Sequence, residues 1–91
     1  MRHVRAAALD ALEPLLQRLR SRPALTERPR SVFYLKSRPF LHFHEDAAGL
    51  YADMKSSDAG DFVRSKIDGL QAQERLLARL DALLGARSER P

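Results

Sequence analysis

Residues 32–55, VFYLKSRPFLHFHEDAAGLYADMK, decide the fold. They hold three of the four Phe, both Tyr and two of the three His, and they read as three short strands joined by tight turns. In the middle segment Leu41 and Phe43 alternate with Phe40, His42 and His44. In the next, Leu50, Ala52 and Met54 alternate with Tyr51, Asp53 and Lys55. A period of two places each set on one side of a pleated strand. A turn over 46–49 pairs Phe43 with Ala52 and Leu41 with Met54, so the two apolar sets share a face. For the preceding hairpin, a three-residue loop of Ser37, Arg38 and Pro39 pairs Leu35 with Leu41 and Phe33 with Phe43, whereas a two-residue loop would mix the faces. The expected core face is Phe33, Leu35, Leu41, Phe43, Leu50, Ala52 and Met54.

The same register predicts the opposite face. Tyr34, His42 and Asp53 form one cross-strand row, Val32, His44 and Tyr51 the next, and Lys36, Phe40 and Lys55 a third. That face is too aromatic to be simply wet and too polar to be core. It is the expected binding face: Tyr34, Lys36, Phe40, His42, His44, Tyr51 and Lys55.

Amphipathic helices flank this sheet. Over residues 3–20, Ala8, Leu9, Leu12, Leu15, Leu16 and Leu19 recur at three- and four-residue spacing and make one apolar stripe. Pro14 points away from the stripe, which predicts one helix kinked around the core. Residues 21–30, with Pro23 and Pro29, form a connector with a short extended piece near 25–28. After Lys55, SSDAG is a turn, and 61–67 reads as a fourth, edge strand. There Val63 and Ile67 favour one face and Phe62 the other, while Arg64 and Lys66 suit water. Asp68 and Gln71 form a capping box for a last helix, whose stripe includes Leu70, Leu76, Leu77, Leu80, Leu83 and Leu84, and Gly85 ends it. The fold class is therefore α+β: two layers, an antiparallel three- to four-stranded meander with an N-terminal and a C-terminal helix on one face. Residues 1–85 form the single domain and 86–91 a polar tail.

Composition bounds the function. Ninety-one residues, 44% hydrophobic and 31% charged, suit one globular domain. There is no Cys, which excludes disulfides, thiolate metal ligands and Cys nucleophiles. The first residues are too broken by Asp10 and Glu13 for a signal segment, so a soluble cytoplasmic protein without membrane contact is expected. No phosphate-binding glycine loop, G-x-S-x-G or H-E-x-x-H occurs, and no cofactor is implied.

The run FYLKSRPFLHFHED followed by GLYADMK, then DF and a leucine-rich terminal helix, resembles a group of small bacterial proteins sharing such a hairpin core. The resemblance covers roughly residues 12–85 and implies a compact bacterial protein of this shape, with no activity attached. The strand layout is also loosely similar to that of MmcQ/YjbR-like proteins, some linked to DNA binding.

Three chemistries compete for the outer face. His42 and His44 alternate on one strand, about 6.5–7 Å apart at the backbone, with Asp53 across from them. Two imidazoles and a carboxylate are the ligands of a facial metal site, or the parts of an acid/base centre; ordinary surface histidines are the plainer reading. Lys36, Arg38, Lys55, Arg64 and Lys66 around Tyr34, Phe40 and Tyr51 are the ingredients of a nucleic-acid-binding sheet, although Glu45, Asp46 and Asp53 interrupt the charge. The apolar area left on the face suits a protein partner or a second copy of the chain. A non-enzymatic binding module ranks first, nucleic-acid binding second, and a metal-dependent or acid/base enzyme third.

Overall fold

The computed structural model describes residues 2–57 and 60–88. The elements run β1 (Arg2–His3), α1 (Ala6–Arg20), β2 (Leu25–Glu27), β3 (Phe33–Leu35), β4 (Arg38–Asp46), β5 (Gly49–Lys55), β6 (Phe62–Lys66) and α2 (Leu70–Ser88). The strands form one antiparallel sheet in the order β2-β3-β4-β5-β6, a simple meander, with β1 added beside β4. One edge of β4 is paired with β5 along residues 41–46. The other edge is shared, with β3 at one end and β1 at the other.

Both helices cover the same sheet face. Leu12, Leu15, Leu16 and Leu19 of α1 and Leu76, Leu77 and Leu80 of α2 join Phe33, Leu35, Leu41, Phe43, Ala52 and Met54 in one buried cluster. Each fully buried Leu or Phe stabilises the fold by about 1.5–3 kcal/mol relative to an exposed one, so this single apolar layer holds the domain together. Leu50, expected in the core, is only partly buried and packs on its rim.

The α+β architecture with terminal helices is as expected, and the sheet is wider than expected. Residues 25–27 form a full edge strand, and the piece at the N-terminus adds β1; both are too short to show a period in sequence. The β4–β5 register is the expected one: Leu41 with Met54, His42 with Asp53, Phe43 with Ala52, His44 with Tyr51. Carried on to β6, it pairs Met54 with Val63, Asp53 with Arg64 and Lys55 with Phe62. Val63 therefore takes the helix side, while Phe62, Arg64 and Lys66 take the outer one.

The first hairpin differs. Its loop is two residues, Lys36 and Ser37, both left-handed at φ 51° and 66°, the geometry of a type I′ turn. Leu35 thus pairs with Arg38 and Tyr34 with Pro39, but Phe33 pairs with Leu41. The extra residue in β4 is Phe40, a β-bulge, so Phe40 and Leu41 are both buried, at 3% and 0% exposure. The bulge restores the facing that a two-residue loop would otherwise mix. Phe40 is thereby a core residue rather than part of the binding face, and Lys36 sits in the turn instead of on a strand.

The helix ends also depart from the sequence reading. Helix α1 runs unbroken through Pro14, which lies on its exposed side, and begins only at Ala6 because β1 precedes it. Its N-cap residue, Arg5, has no capping side chain. The Glu45 carboxylate does that work across the fold, accepting from the Arg5 backbone N–H at 2.7 Å and from its Nε at 3.1 Å. A carboxylate there also meets the positive end of the helix dipole. Asp68 does not cap α2. Its Oδ1 accepts from the Leu50 N–H at 2.9 Å, and the helix opens with Gln73 N–H on the Gly69 carbonyl at 3.1 Å. Asp68 packs where any side chain on Gly49 would sit: a Cβ there would lie 2.2 Å from Asp68 Oδ2. Leu70, at the very start of α2, is exposed. The helix continues past Gly85 to Ser88, so the expected tail starts later; residues 89–91, like 58 and 59 of the SSDAG turn, lie outside the described residues.

Candidate functional site

With both helices on one side, the opposite sheet face is covered, among the described residues, only by its own side chains. Strands β4, β5 and β6 set out two cross-strand rows there, His42–Asp53–Arg64 and His44–Tyr51–Lys66. The backbone of His3 is registered beside His44 in the second row.

Asp53 is the centre of this face. It is 6% exposed, although nothing but side chains overlies it. Arg64 grips it in a bidentate pair, with Nε donating to Oδ1 at 2.7 Å and a terminal nitrogen to Oδ2 at 2.8 Å. Nε2 of His44 lies 3.0 Å from Oδ2. The Arg64 hydrogen bonds hold the Asp53 carboxyl below its usual range against the opposing effect of burial, and the nearby imidazoles act in the same direction. A buried ionised carboxylate is tolerable here because both oxygens have charged partners.

His42 stands next to this pair. Its ring meets that of His44 edge-on, centroids 4.8 Å apart at 83°, and that of Phe62 at 4.9 Å. Lys55 Nζ lies over the Phe62 ring, 5.5 Å from its centroid and within cation–π range. Both histidines are half-buried, with Nδ1 of His42 and Nε2 of His44 shielded from solvent. Ligand-type atoms of His42, His44 and Asp53 all lie within 4.8 Å of one another. This is the donor set of a cation centre, assembled on three paired positions of two central strands.

The structure thus gathers His42, His44, Asp53, Tyr51 and Lys55. It disperses the rest. Tyr34 does not share a row with His42, because the bulge shifts its partner to Pro39. Instead Tyr34 lines a separate shallow depression of about 390 Å³ with Thr26, Arg28 and Ser37. Phe40 is in the core and Lys36 in the turn. Phe62 is a site residue that the sequence reading does not anticipate, and Arg64, expected only as one cation of a nucleic-acid-binding face, is instead the partner of Asp53; the signal for both is the parity of 62–66, which pairs Arg64 with Asp53 once the register is carried across the next turn.

No family model, curated protein or solved structure matches this chain. Among the described residues, no helix is long and apolar enough to cross a membrane.

Proposed function

We propose that the chain is a non-enzymatic binding module whose working surface is the outer sheet face. One observation carries this reading: both leucine stripes are spent on the same side of the sheet. The other side, with half-buried His42, His44 and Tyr51 and an exposed Phe62, has no second layer among the described residues. A two-layer fold closes one sheet face only. The uncovered face presents aromatic and imidazole surface at its centre and Lys55, Arg64 and Lys66 towards its β6 side. Such a centre and rim suit a protein partner with an apolar patch bordered by acidic groups. A second copy fits less well, since stacking two such faces brings two basic rims together. An open face also leaves water in contact with the site, which suits binding better than acid/base chemistry. We read the protein as a cytoplasmic bacterial one, in line with the hairpin resemblance.

A specific observation favours nucleic acid as the second reading. Arg64 neutralises Asp53, the one carboxylate in the central row, so Lys55 and Lys66 flank Tyr51 and Phe62 as the cations of that part of the face, Lys66 in a long 3.7 Å pair with Asp68. Stacking rings between cations is how sheets hold single strands.

Photo-crosslinking tests the first reading. A photoreactive residue at position 51 should give a discrete protein adduct in cells, lost when Lys55 and Arg64 are both replaced by Glu. The same probe at Gln17, on the solvent side of α1, should give none. Equal labelling from both positions would sink the proposal. Anisotropy with a single-stranded oligonucleotide separates the second reading, because phosphate-driven binding weakens steeply with added salt.

A further inference from the structure

We propose that His42, His44 and Asp53 bind a divalent transition cation of the zinc–cobalt class, and that the bound cation displaces Arg64 from the Asp53 carboxylate. This goes beyond the docking reading and does not depend on what the face binds.

The geometry comes first. Zinc bonds to nitrogen and oxygen are about 2.0–2.2 Å, so neighbouring donors of a tetrahedral site stand roughly 3.3 Å apart. Nε2 of His44 and Oδ2 of Asp53 are already 3.0 Å apart. Ligand atoms of all three residues lie within 4.8 Å of one another, an ångström or two wider than a closed site, which is within the reach of a side-chain rotation. All three residues sit on the two central strands, β4 and β5, where the ladder fixes their Cα positions. Sites on paired strands hold their geometry better than sites on loops.

The donor chemistry selects the ion. Two imidazoles and one carboxylate favour zinc, cobalt or nickel over magnesium and calcium, which demand oxygen donors. Three protein ligands leave at least one coordination position, directed to the open side of the sheet, for water or for a donor from a partner. The Phe62 ring beside His42 walls one flank of the site.

Arg64 is what makes the site conditional. Its two hydrogen bonds take one lone pair from each Asp53 oxygen. A dication a few ångströms from the guanidinium repels it strongly. Arg64 sits on the edge strand with its side chain 46% exposed, so it can swing into water. The guanidinium end of the pair stays open to water, so a coordinated dication can take its place on the carboxylate. Arg64 therefore competes with the cation rather than supporting it.

The test uses the full chain, prepared in chelator and then dialysed free of it. Titration with Co²⁺ should give a visible d–d band at one equivalent, reversed by Zn²⁺, and Zn²⁺ should raise the melting temperature. His42→Gln and His44→Gln should each weaken Co²⁺ binding by at least about 100-fold, the upper end of the loss seen when only an outer partner of a ligand is removed. Both leave the Asp53–Arg64 pair in place, so they report on the site even if Asp53→Asn folds poorly; melting in chelator checks that each variant is folded. Arg64→Gln should tighten binding by at least about fivefold, the upper end for an exposed pair. Absence of the cobalt band, or wild-type affinity in both histidine variants, overturns the site. Weaker binding in Arg64→Gln overturns the competition.

Discussion

Phe40 and Phe43 are three residues apart on one strand, and simple alternation would put them on opposite faces. The bulge brings both into the core, at 3% and 1% exposure. Truncating a buried Phe removes its transfer free energy and leaves a cavity, together about 3–5 kcal/mol. Phe43→Ala should therefore unfold so small a domain at moderate denaturant, and Phe40→Ala should come close to it. Urea titration of both variants measures this. If Phe40→Ala melted with the wild type, Phe40 would belong to the outer face and the bulge would be wrong. Asp53 carries the corresponding lesson among polar residues. Its position in the row follows from alternation, but its partner follows from reach: a guanidinium two strands from His42 is long and forked enough to take both oxygens.

Turn chemistry governs the first hairpin. Lys36 and Ser37 both occupy the left-handed region, where a side chain bearing Cβ costs about 1–2 kcal/mol per residue and where Asn-Gly is the favoured pair. Combining Lys36→Asn with Ser37→Gly in one double variant should stabilise the domain by roughly 1 kcal/mol, visible as a higher urea midpoint with an unchanged slope. A destabilised variant would mean that the loop has more than two residues. The second hairpin has no such strain at 47 and 48, where the Asp46 side chain accepts from the Ala48 N–H at 2.8 Å and closes the turn.

Arginine–carboxylate pairs tie the whole molecule together. Arg18 meets Glu74, and Arg22 grips Asp81 at 3.0 and 2.8 Å, joining α1 to α2. Arg20 bridges Glu13 and Glu27, and Arg30 reaches Asp10 and Glu13, joining α1 to the β2 hairpin. Much of the basic excess is thus engaged on the helix side rather than displayed to a partner. Hydrogen bonds from Arg20 and Arg30 lower the Glu13 pKa from 4.5 to about 2. Glu27 and Asp81 are lowered as well; an arginine hydrogen bond is the leading cause at Asp81, while at Glu27 burial pushes upward and the hydrogen bonds from Arg20 and the Ser31 N–H together outweigh it. A carboxylate whose folded pKa lies below its unfolded value stabilises the fold fully above the unfolded value, and that contribution fades as pH falls through the folded one. The melting temperature should therefore hold from neutral pH to about 5 and drop between about 4.5 and 2. Glu13→Gln should flatten that drop and lower the neutral-pH value only slightly, because solvent screens the pair. A melting temperature indifferent to pH over this window would show that the network contributes nothing.

The two leucine stripes, the β4–β5 register and the side of the sheet on which His42, His44 and Asp53 stand are all legible along the chain. Each of these rests on a period that repeats over several residues, so local chemistry suffices to read it. The remainder comes from how the closed fold packs. The bulge at Phe40 hides in a strand whose parity breaks once, and only the packing of Phe33 against Leu41 reveals where. Strands β1 and β2, two and three residues long, are too short for any period and exist because β4 and β3 offer them open edges. Glu45 caps α1 across 40 residues of chain, and Arg22 meets Asp81 across 59. Such pairings depend on which groups the closed fold brings within a hydrogen bond of one another, and residue spacing carries no record of that.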